Sequence, residues 1–168
     1  MKKIICVLLI FALSLILFAC GSSSGETTTA ATETTESKAE VSADEIAAAI
    51  LENAEFEGDL EKSEFPFSTL EKYDVQEAAV EDICWYVGSG AAPDEIAVIK
   101  CAGDDEFATV KKAIDARIKY LKDGYSDYAP EQVPKIDRAC VLAYGTTLVY
   151  CIGKDVSSVD STVKALIG

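Results

Sequence analysis

Few residues of this chain have the types and spacing that covalent chemistry needs. Ser161 and Lys164 form an S-x-x-K pair, in which the serine would attack and the lysine would assist proton transfer. That chemistry also uses S-D-N and K-T-G motifs, and the sequence contains neither. We therefore interpret Ser161 and Lys164 as residues on the solvent-exposed face of a last helix. Histidine, the commonest acid-base group and metal ligand, is absent from the 168 residues.

Two further patterns are incomplete versions of ligand-binding loops. Gly88-Ser89-Gly90 is a G-x-G, but Pro93 stands where a phosphate loop has its third glycine, so a hairpin loop is expected. A later acidic set lacks the spacing of a calcium loop, and helix capping and solvation explain it. Its members are Asp104, Asp105, Glu106, Asp123 and Asp127. The sequence thus predicts no catalytic residue, no cofactor and no metal.

Three tyrosines offer a surface that could recognise a ligand. Tyr120, Tyr125 and Tyr128 lie close together in sequence, with Trp85 and Tyr86 as further candidates. Amphipathic aromatic side chains near a loop are typical of sugar and peptide sites. The alternative is that these rings cover the edge of a sheet and pack beneath the loop.

The first twenty residues have the pattern of an export signal. Two lysines precede an apolar run over residues 4–18, which is shorter than the roughly 20 residues of a membrane-spanning helix, and Ala19 and Cys20 follow. Residues 17–20, Leu-Phe-Ala-Cys, resemble the lipobox of bacterial lipoproteins. That resemblance implies a signal peptide over residues 1–19 and a lipid on Cys20.

A polar segment separates this leader from the rest of the chain. Residues 21–41 are rich in Ser and Thr and have no helical or strand period, so we expect residues 20–41 to be a lipidated, disordered tether. Residues 42–168 have the length of a single domain. The chain has 15 basic and 29 acidic residues and a net charge of −14, which opposes binding to nucleic acid.

The domain's patterns predict three helices and two hairpins. Ser42 and Glu45 form a capping box that opens a helix over about residues 43–54. An amphipathic helix begins at Asp104, with Gly124 just beyond its end, and a last helix starts near Val156. Two β-branched and aromatic runs with Gly-bearing turns, at residues 83–101 and 139–152, predict hairpins.

This order of elements predicts the fold class. The pattern α-ββ-α-ββ-α predicts an α+β fold with a four-stranded, mainly antiparallel sheet and helices packed on it. Residues 55–79 give no clear prediction, because the Phe-Pro-Phe at residues 65–67 breaks any helix.

Three segments resemble an uncharacterised family of small lipoproteins from Gram-positive anaerobes. They are residues 95–100 (EIAVIK), 128–132 (YAPEQ) and 144–150 (YGTTLVY). Members of that family pair a lipobox and a polar tether with one domain of unknown function, and the likeness covers roughly residues 44–167. The resemblance implies no catalytic residues.

Four cysteines remain once the leader and Cys20 are set aside. Counting outward from the turn at residues 145–146 places Cys140 opposite Cys151, and a similar count places Cys84 roughly opposite Cys101. An even number outside the cytoplasm suggests disulfides. Directly paired positions often fit disulfide geometry poorly, and cysteine is often simply buried. The anaerobic habitat that the resemblance implies would also remove the oxidant, so buried thiols and disulfides both stay open.

Together these patterns lead to one expected role and one alternative. We expect a lipid-anchored protein on the extracytoplasmic face of the cell membrane. It would act as a non-catalytic module that binds or scaffolds an unknown envelope protein or glycan, with no nucleic acid. The alternative is an envelope hydrolase that works through carboxylates, whose separation the sequence does not show.

Overall fold

A computed structural model of the chain describes residues 40–168. The leader, Cys20 and all but the last residues of the expected tether lie outside this range, so those expectations stay predictions. No helix within the described range is both long enough and apolar enough to cross a membrane.

The centre of the domain is one antiparallel sheet. Its strands are β1 (Glu61–Lys62), β2 (Val80–Val87), β3 (Glu95–Cys101), β4 (Cys140–Tyr144) and β5 (Thr147–Ile152), in the spatial order β1-β2-β3-β5-β4. The two predicted hairpins are β2–β3 and β4–β5. The α+β prediction is confirmed, although the sheet has five strands rather than four. The unpredicted β1 consists of two exposed charged residues, which carry no alternating apolar pattern.

Helices cover both faces of this sheet. They are α1 (Ala43–Asn53), α2 (Ser68–Glu71), α3 (Asp104–Tyr128), α4 (Val133–Ile136) and α5 (Val159–Ile167), with 3₁₀ turns at Glu77–Ala79 and Pro130–Gln132. The predicted capping box is present: the Glu45 amide donates to Ser42 Oγ at 3.2 Å, and the Ser42 amide donates to Glu45 Oε2 at 2.8 Å.

The long helix α3 runs further than the sequence predicted. Gly124 lies inside α3, which continues to Tyr128, so the prediction that this glycine follows the helix end is wrong. The extra turn brings Tyr125 into the core, where only 5% of its surface remains exposed. That burial compensates for a glycine within the helix.

Two hydrophobic cores lie between the sheet and the helices, one on each face of the sheet. Trp85, Ala97, Ile114 and Tyr150 belong to the core beneath α3, together with residues of α2 and α4. The other core lies beneath α1 and α5 and includes Val98. The central strand β3 supplies both cores because alternate side chains of a strand point to opposite faces. A fragment with the bounds 40–168 contains every residue that the structure describes in either core.

Candidate functional site

Two exposed tyrosines form the most prominent aromatic surface on α3. Tyr120 and Tyr128 are each 64% exposed, and Gly124 lies four residues from each. An α-helix has 3.6 residues per turn, so residues four apart lie on nearly the same face. At 1.5 Å per residue, Tyr120 and Tyr128 are about 12 Å apart along the helix axis. A Cβ atom at Gly124 would meet nothing within 4 Å, so bare backbone lies open between the rings. We call Tyr120, Gly124 and Tyr128 the tyrosine ridge.

The third predicted tyrosine supports this ridge from below. Tyr125 is buried, and its hydroxyl donates to the carbonyl of Gly90 at 3.0 Å. Its ring lies 4.8 Å, centroid to centroid, from the ring of Tyr128. Burial and the adjacent Tyr128 raise the pKa of Tyr125, which keeps its hydroxyl protonated as a donor. Tyr125 therefore positions Tyr128 and does not itself offer a surface.

Tyr120 is positioned by a buried ion pair. The guanidinium carbon of Arg117 lies 5.6 Å from the centroid of the Tyr120 ring, a cation–π distance. The Arg117 guanidinium also binds the carboxylate of Glu95, with Nε 3.3 Å from Oε2. Burial opposes the charge of Arg117, but the hydrogen bond and charge of Glu95 outweigh it and raise the pKa of Arg117. Tyr150 donates its hydroxyl to the same Glu95 oxygen at 3.2 Å.

The side chains beneath this ion pair are aromatic. Trp85 and Tyr150 lie directly opposite Ala97 on its two neighbouring strands, and their rings meet edge to face with centroids 6.2 Å apart. Ala97 is small enough to let them meet. The indole of Trp85 is buried, and its Nε1 has no hydrogen-bond partner within residues 40–168. Trp85 is thus a core residue, whereas Tyr86 is partly buried against the core beneath α1.

A second buried ion pair begins one residue before β3. Asp94 is 2% exposed, and its Oδ1 lies 2.9 Å from Nζ of Lys135. Its Oδ2 accepts a hydrogen bond from the Glu57 amide at 2.6 Å, and the carboxylate of Glu57 also pairs with Lys135 at 2.9 Å. Asp94 lines a cavity of about 260 Å³ with Gly88 and neighbouring loop residues. Both of its oxygens are engaged, so this carboxylate joins α4 and a loop to the sheet.

Sequence reasoning missed these two acids, although a signal was present. Asp94 and Glu95 directly precede the apolar residues of β3, and a buried strand that begins with two carboxylates requires cationic partners. A carboxylate-dependent hydrolase needs two acidic groups that face one substrate. Here each acid is occupied by its own cation, Lys135 or Arg117.

The structure brings one of the predicted cysteine pairs together. Cys140 lies opposite Cys151, which confirms that pairing. Cys84 lies opposite Val98, so the prediction that it faces Cys101 is wrong. The loop between β2 and β3 has seven residues, and the first strand pair beside it is Val87 with Glu95. The sequence did not identify this first pair, so the residues counted outward from the loop were paired wrongly. Cys84 and Cys101 consequently point into different cores.

The four thiols within the described range are free. Burial raises the pKa of Cys84 to about 12, with a hydrogen bond to Asp44 adding to the effect. Burial also raises the pKa of Cys101 to about 11. Both groups are therefore protonated at neutral pH.

The remaining motifs have structural partners. Lys164 Nζ pairs with Asp160 at 2.7 Å, and the Ser161 hydroxyl donates to the Ser158 carbonyl at 2.9 Å, so Ser161 and Lys164 do not bond each other. Gly88-Ser89-Gly90 is a hairpin loop, as predicted, with Gly90 at φ +89°. Within residues 40–168, no group of three or more Cys, Asp or Glu side chains could hold a metal ion.

Comparison with known proteins identifies a family but no function. The profile of a family described as Domain of unknown function (DUF4358) matches residues 67–153, just over half of the chain. No curated protein and no solved structure matches the chain significantly. The matched span runs from the start of α2 past the end of β5, so it contains the tyrosine ridge and both buried ion pairs.

Proposed function

We propose a function for this chain, which belongs to the DUF4358 family of domains of unknown function. It is a lipid-anchored protein of the extracytoplasmic membrane face, and its domain binds a neutral glycan of the cell envelope without transforming it. The tyrosine ridge is the observation that carries this proposal.

The two rings of the ridge are held ready for a ligand. Tyr128 packs against the buried Tyr125 with the two rings tilted by 39°, and Tyr120 lies beside Arg117, whose guanidinium is fixed by Glu95. A side chain that is already ordered loses little conformational entropy when it binds. Rigid tyrosines with a polar hydroxyl and a flat apolar face are effective anchors for this reason.

Gly124 supports the binding proposal because neither its backbone conformation nor its packing requires a glycine at this position. Glycine inside a helix costs about 0.5–1 kcal/mol relative to alanine. Its backbone is not left-handed, and a Cβ atom there would be in open space. A ligand that lies close to the backbone between the two rings explains the absence of a side chain.

The charge around the ridge favours a neutral glycan. The exposed Asp127 precedes Tyr128 and has no ion-pair partner among the described residues, and the whole chain carries −14. An acidic polymer would be repelled. The C–H faces of sugar rings pack on aromatic rings, and their hydroxyl groups can bond to the tyrosine hydroxyls.

Support for the anchor comes from the sequence. The lipobox-like residues 17–20 precede a polar segment, and two acyl chains on Cys20 would bind a bilayer permanently. About 20 residues of flexible coil span about 25 Å on average. The described chain begins at residue 40 beside α1, whereas α3 covers the opposite face of the sheet. The ridge is therefore on the side of the sheet away from the point where the tether arrives.

Binding is tested by co-sedimentation with insoluble chitin, an uncharged polymer of N-acetylglucosamine. The soluble fragment 40–168 should sediment with the glycan, and Tyr120→Ala/Tyr128→Ala should lower its affinity at least about tenfold. Phe65→Ala is the matched control, because Phe65 is an exposed aromatic outside α3, and it should bind like the wild type. Equal binding by the double variant would reject the ridge. Release of soluble sugars would favour the hydrolase instead.

Anchoring is tested separately with the full chain expressed in a bacterium. Mass spectrometry of the membrane fraction should find residues 1–19 removed and a diacylglyceryl group on Cys20. Cys20→Ser should lose the lipid and remain unprocessed. An unmodified Cys20 in the mature wild-type protein would contradict the anchor without affecting the glycan site.

A further inference from the structure

Cys140 and Cys151 are positioned for a bond that the structure does not contain. We propose that they form a reversible cross-strand disulfide by exchange with a small disulfide from outside the protein. The pair lies in register between β4 and β5, and both residues belong to the core side beneath α1 and α5. Side chains directly opposite each other in an antiparallel pair share a face and lie close together.

The strand register also determines the distance between the Cα atoms of Cys140 and Cys151. Gly145 and Thr146 form a two-residue turn between Tyr144 and Thr147. The pair that closes such a turn is hydrogen-bonded, and the pair type alternates along the ladder. Cys140 and Cys151 lie four steps away and are of the same type. Their Cα atoms should be about 5.5 Å apart, within the range of disulfides. The Cβ atoms of such a pair are about 5 Å apart and must approach by about 1 Å, so bond formation requires a small shift of one strand.

No other pair of cysteines in the described range can form this bond without rearrangement. Cys84 is on β2, and β3 lies between β2 and β5, so about 9.5 Å of sheet separates Cys84 from Cys151. Cys101 points into the core beneath α3, on the opposite face. The proposal therefore names one pair among the four thiols.

Cys140 is the sulfur that a reagent can reach. It is partly exposed on β4, the last strand of the described sheet, and lines a surface cavity of about 430 Å³, whereas Cys151 is fully buried behind it. The cavity is also lined by two cations and two acids: Arg138, Lys154, Asp155 and Asp160. This balance of charge suits a neutral disulfide. With no neighbour on its outer side within the described sheet, β4 is free to adjust.

The exchange proceeds in two balanced steps. The Cys140 thiolate attacks one sulfur of the small disulfide, forms a mixed disulfide and releases the first small thiolate. The Cys151 thiolate then attacks Cys140 Sγ and releases the second. The two protons lost by the protein end on the two released thiols, so the protein is oxidised by two electrons and the small disulfide is reduced. Burial raises the pKa of both cysteines, so the exchange should accelerate as pH rises.

The test treats fragment 40–168 with bis(2-hydroxyethyl) disulfide, a neutral reagent, and then alkylates it. Digestion with chymotrypsin, which cleaves after Tyr144 between the two cysteines, precedes mass spectrometry. A peptide pair joined through Cys140 and Cys151 is expected, with Cys84 and Cys101 alkylated only after unfolding. Oxidation should raise the Tm by about 5 °C or more, because the bond closes a loop in the unfolded chain.

A matched variant separates this pair from the others. Cys84→Ala/Cys101→Ala should form the same bond, and Cys140→Ser should stop all cross-linking. The proposal is overturned if four free thiols remain after treatment, if Cys84 or Cys101 enters the bond, or if Cys140 retains the reagent as a lasting mixed disulfide.

Discussion

The hydroxyl of Tyr125 donates a hydrogen bond to the backbone carbonyl of Gly90, with 3.0 Å between the two oxygens. This bond joins the last turn of α3 to the loop between β2 and β3. Because the ring of Tyr125 also contacts Tyr128, the loop helps to position one half of the tyrosine ridge. The aromatic surface therefore depends on a contact between segments 35 residues apart.

Removing that hydroxyl should weaken stability and binding together. In Tyr125→Phe the Gly90 carbonyl loses its partner while the ring remains, which should cost about 1 kcal/mol in the free energy of unfolding. Affinity for the neutral glycan should fall only a few-fold, because the contact between the rings of residue 125 and Tyr128 persists. Urea unfolding and co-sedimentation measure the two effects. Unchanged stability would show that the bond is not formed in solution.

Gly124→Ala should separate stability from binding. The new methyl group meets nothing in the domain, so the helix should gain about 0.5–1 kcal/mol. The same methyl group stands between the two rings and should reduce glycan affinity. Gly58→Ala is the control: Gly58 also has open space around its Cβ position, but it lies in a loop, and binding should not change. Full binding by Gly124→Ala would contradict close approach to the backbone.

The buried ion pair of Lys135 and Asp94 should contribute more to the free energy of unfolding than the exposed ion pairs do. Lys135→Met leaves a 2% exposed carboxylate without its cation, which should cost about 3–5 kcal/mol. Lys119→Met breaks an exposed pair with Asp123 on α3 and should cost less than about 0.5 kcal/mol. Urea unfolding of both variants makes the comparison. Equal losses would mean that Asp94 is solvated in the folded protein.

Stability should fall at alkaline pH. The folded protein holds the pKa of Cys101 at about 11 and that of Cys84 at about 12, both above the ordinary 9.0, because these thiols are buried. Burial likewise raises the pKa of Tyr150 above 10.0. Above pH 9 the unfolded chain loses these protons first, so the folded state binds more protons. The contribution is fully present below pH 9 and is lost as pH rises toward 12.

Urea unfolding between pH 7 and pH 11 measures this dependence. Cys84→Ala/Cys101→Ala should make the decline that begins near pH 9 shallower, with the remainder due to Cys151 and Tyr150, whereas Lys119→Met should leave its shape unchanged. A free energy of unfolding that stays constant to pH 11 would show that the thiols and the phenol are accessible to solvent.

Features set by local pattern were predicted from the sequence. The capping box at Ser42, both hairpins and the opposition of Cys140 and Cys151 each depend on residues close in the chain, and the structure contains all of them. A two-residue turn fixes its own register, whereas the longer loop between β2 and β3 does not. The count for Cys84 failed for this reason.

Features set by distant contacts were not predictable in the same way. β1 has no pattern of its own and pairs because β2 presents an open edge. Arg117 and Lys135 meet their acids across 22 and 41 residues of sequence. The sequence left open whether the three tyrosines form a ligand surface or pack beneath a loop. Tyr125 packs in the core, while Tyr120 and Tyr128 stay exposed. Helical position alone could not decide this, because it depended on α3 continuing past Gly124.

Amide chemical-shift mapping tests the tyrosine ridge most directly. Isotope-labelled fragment 40–168 would be titrated with soluble, uncharged oligosaccharides of N-acetylglucosamine. The largest shifts are expected at residues 117–128, with Gly124 among them, and little change is expected in α1 and α5. Shifts confined to α1, α5 or the loop at residues 88–94, with residues 117–128 unmoved, would contradict the ridge as the binding surface.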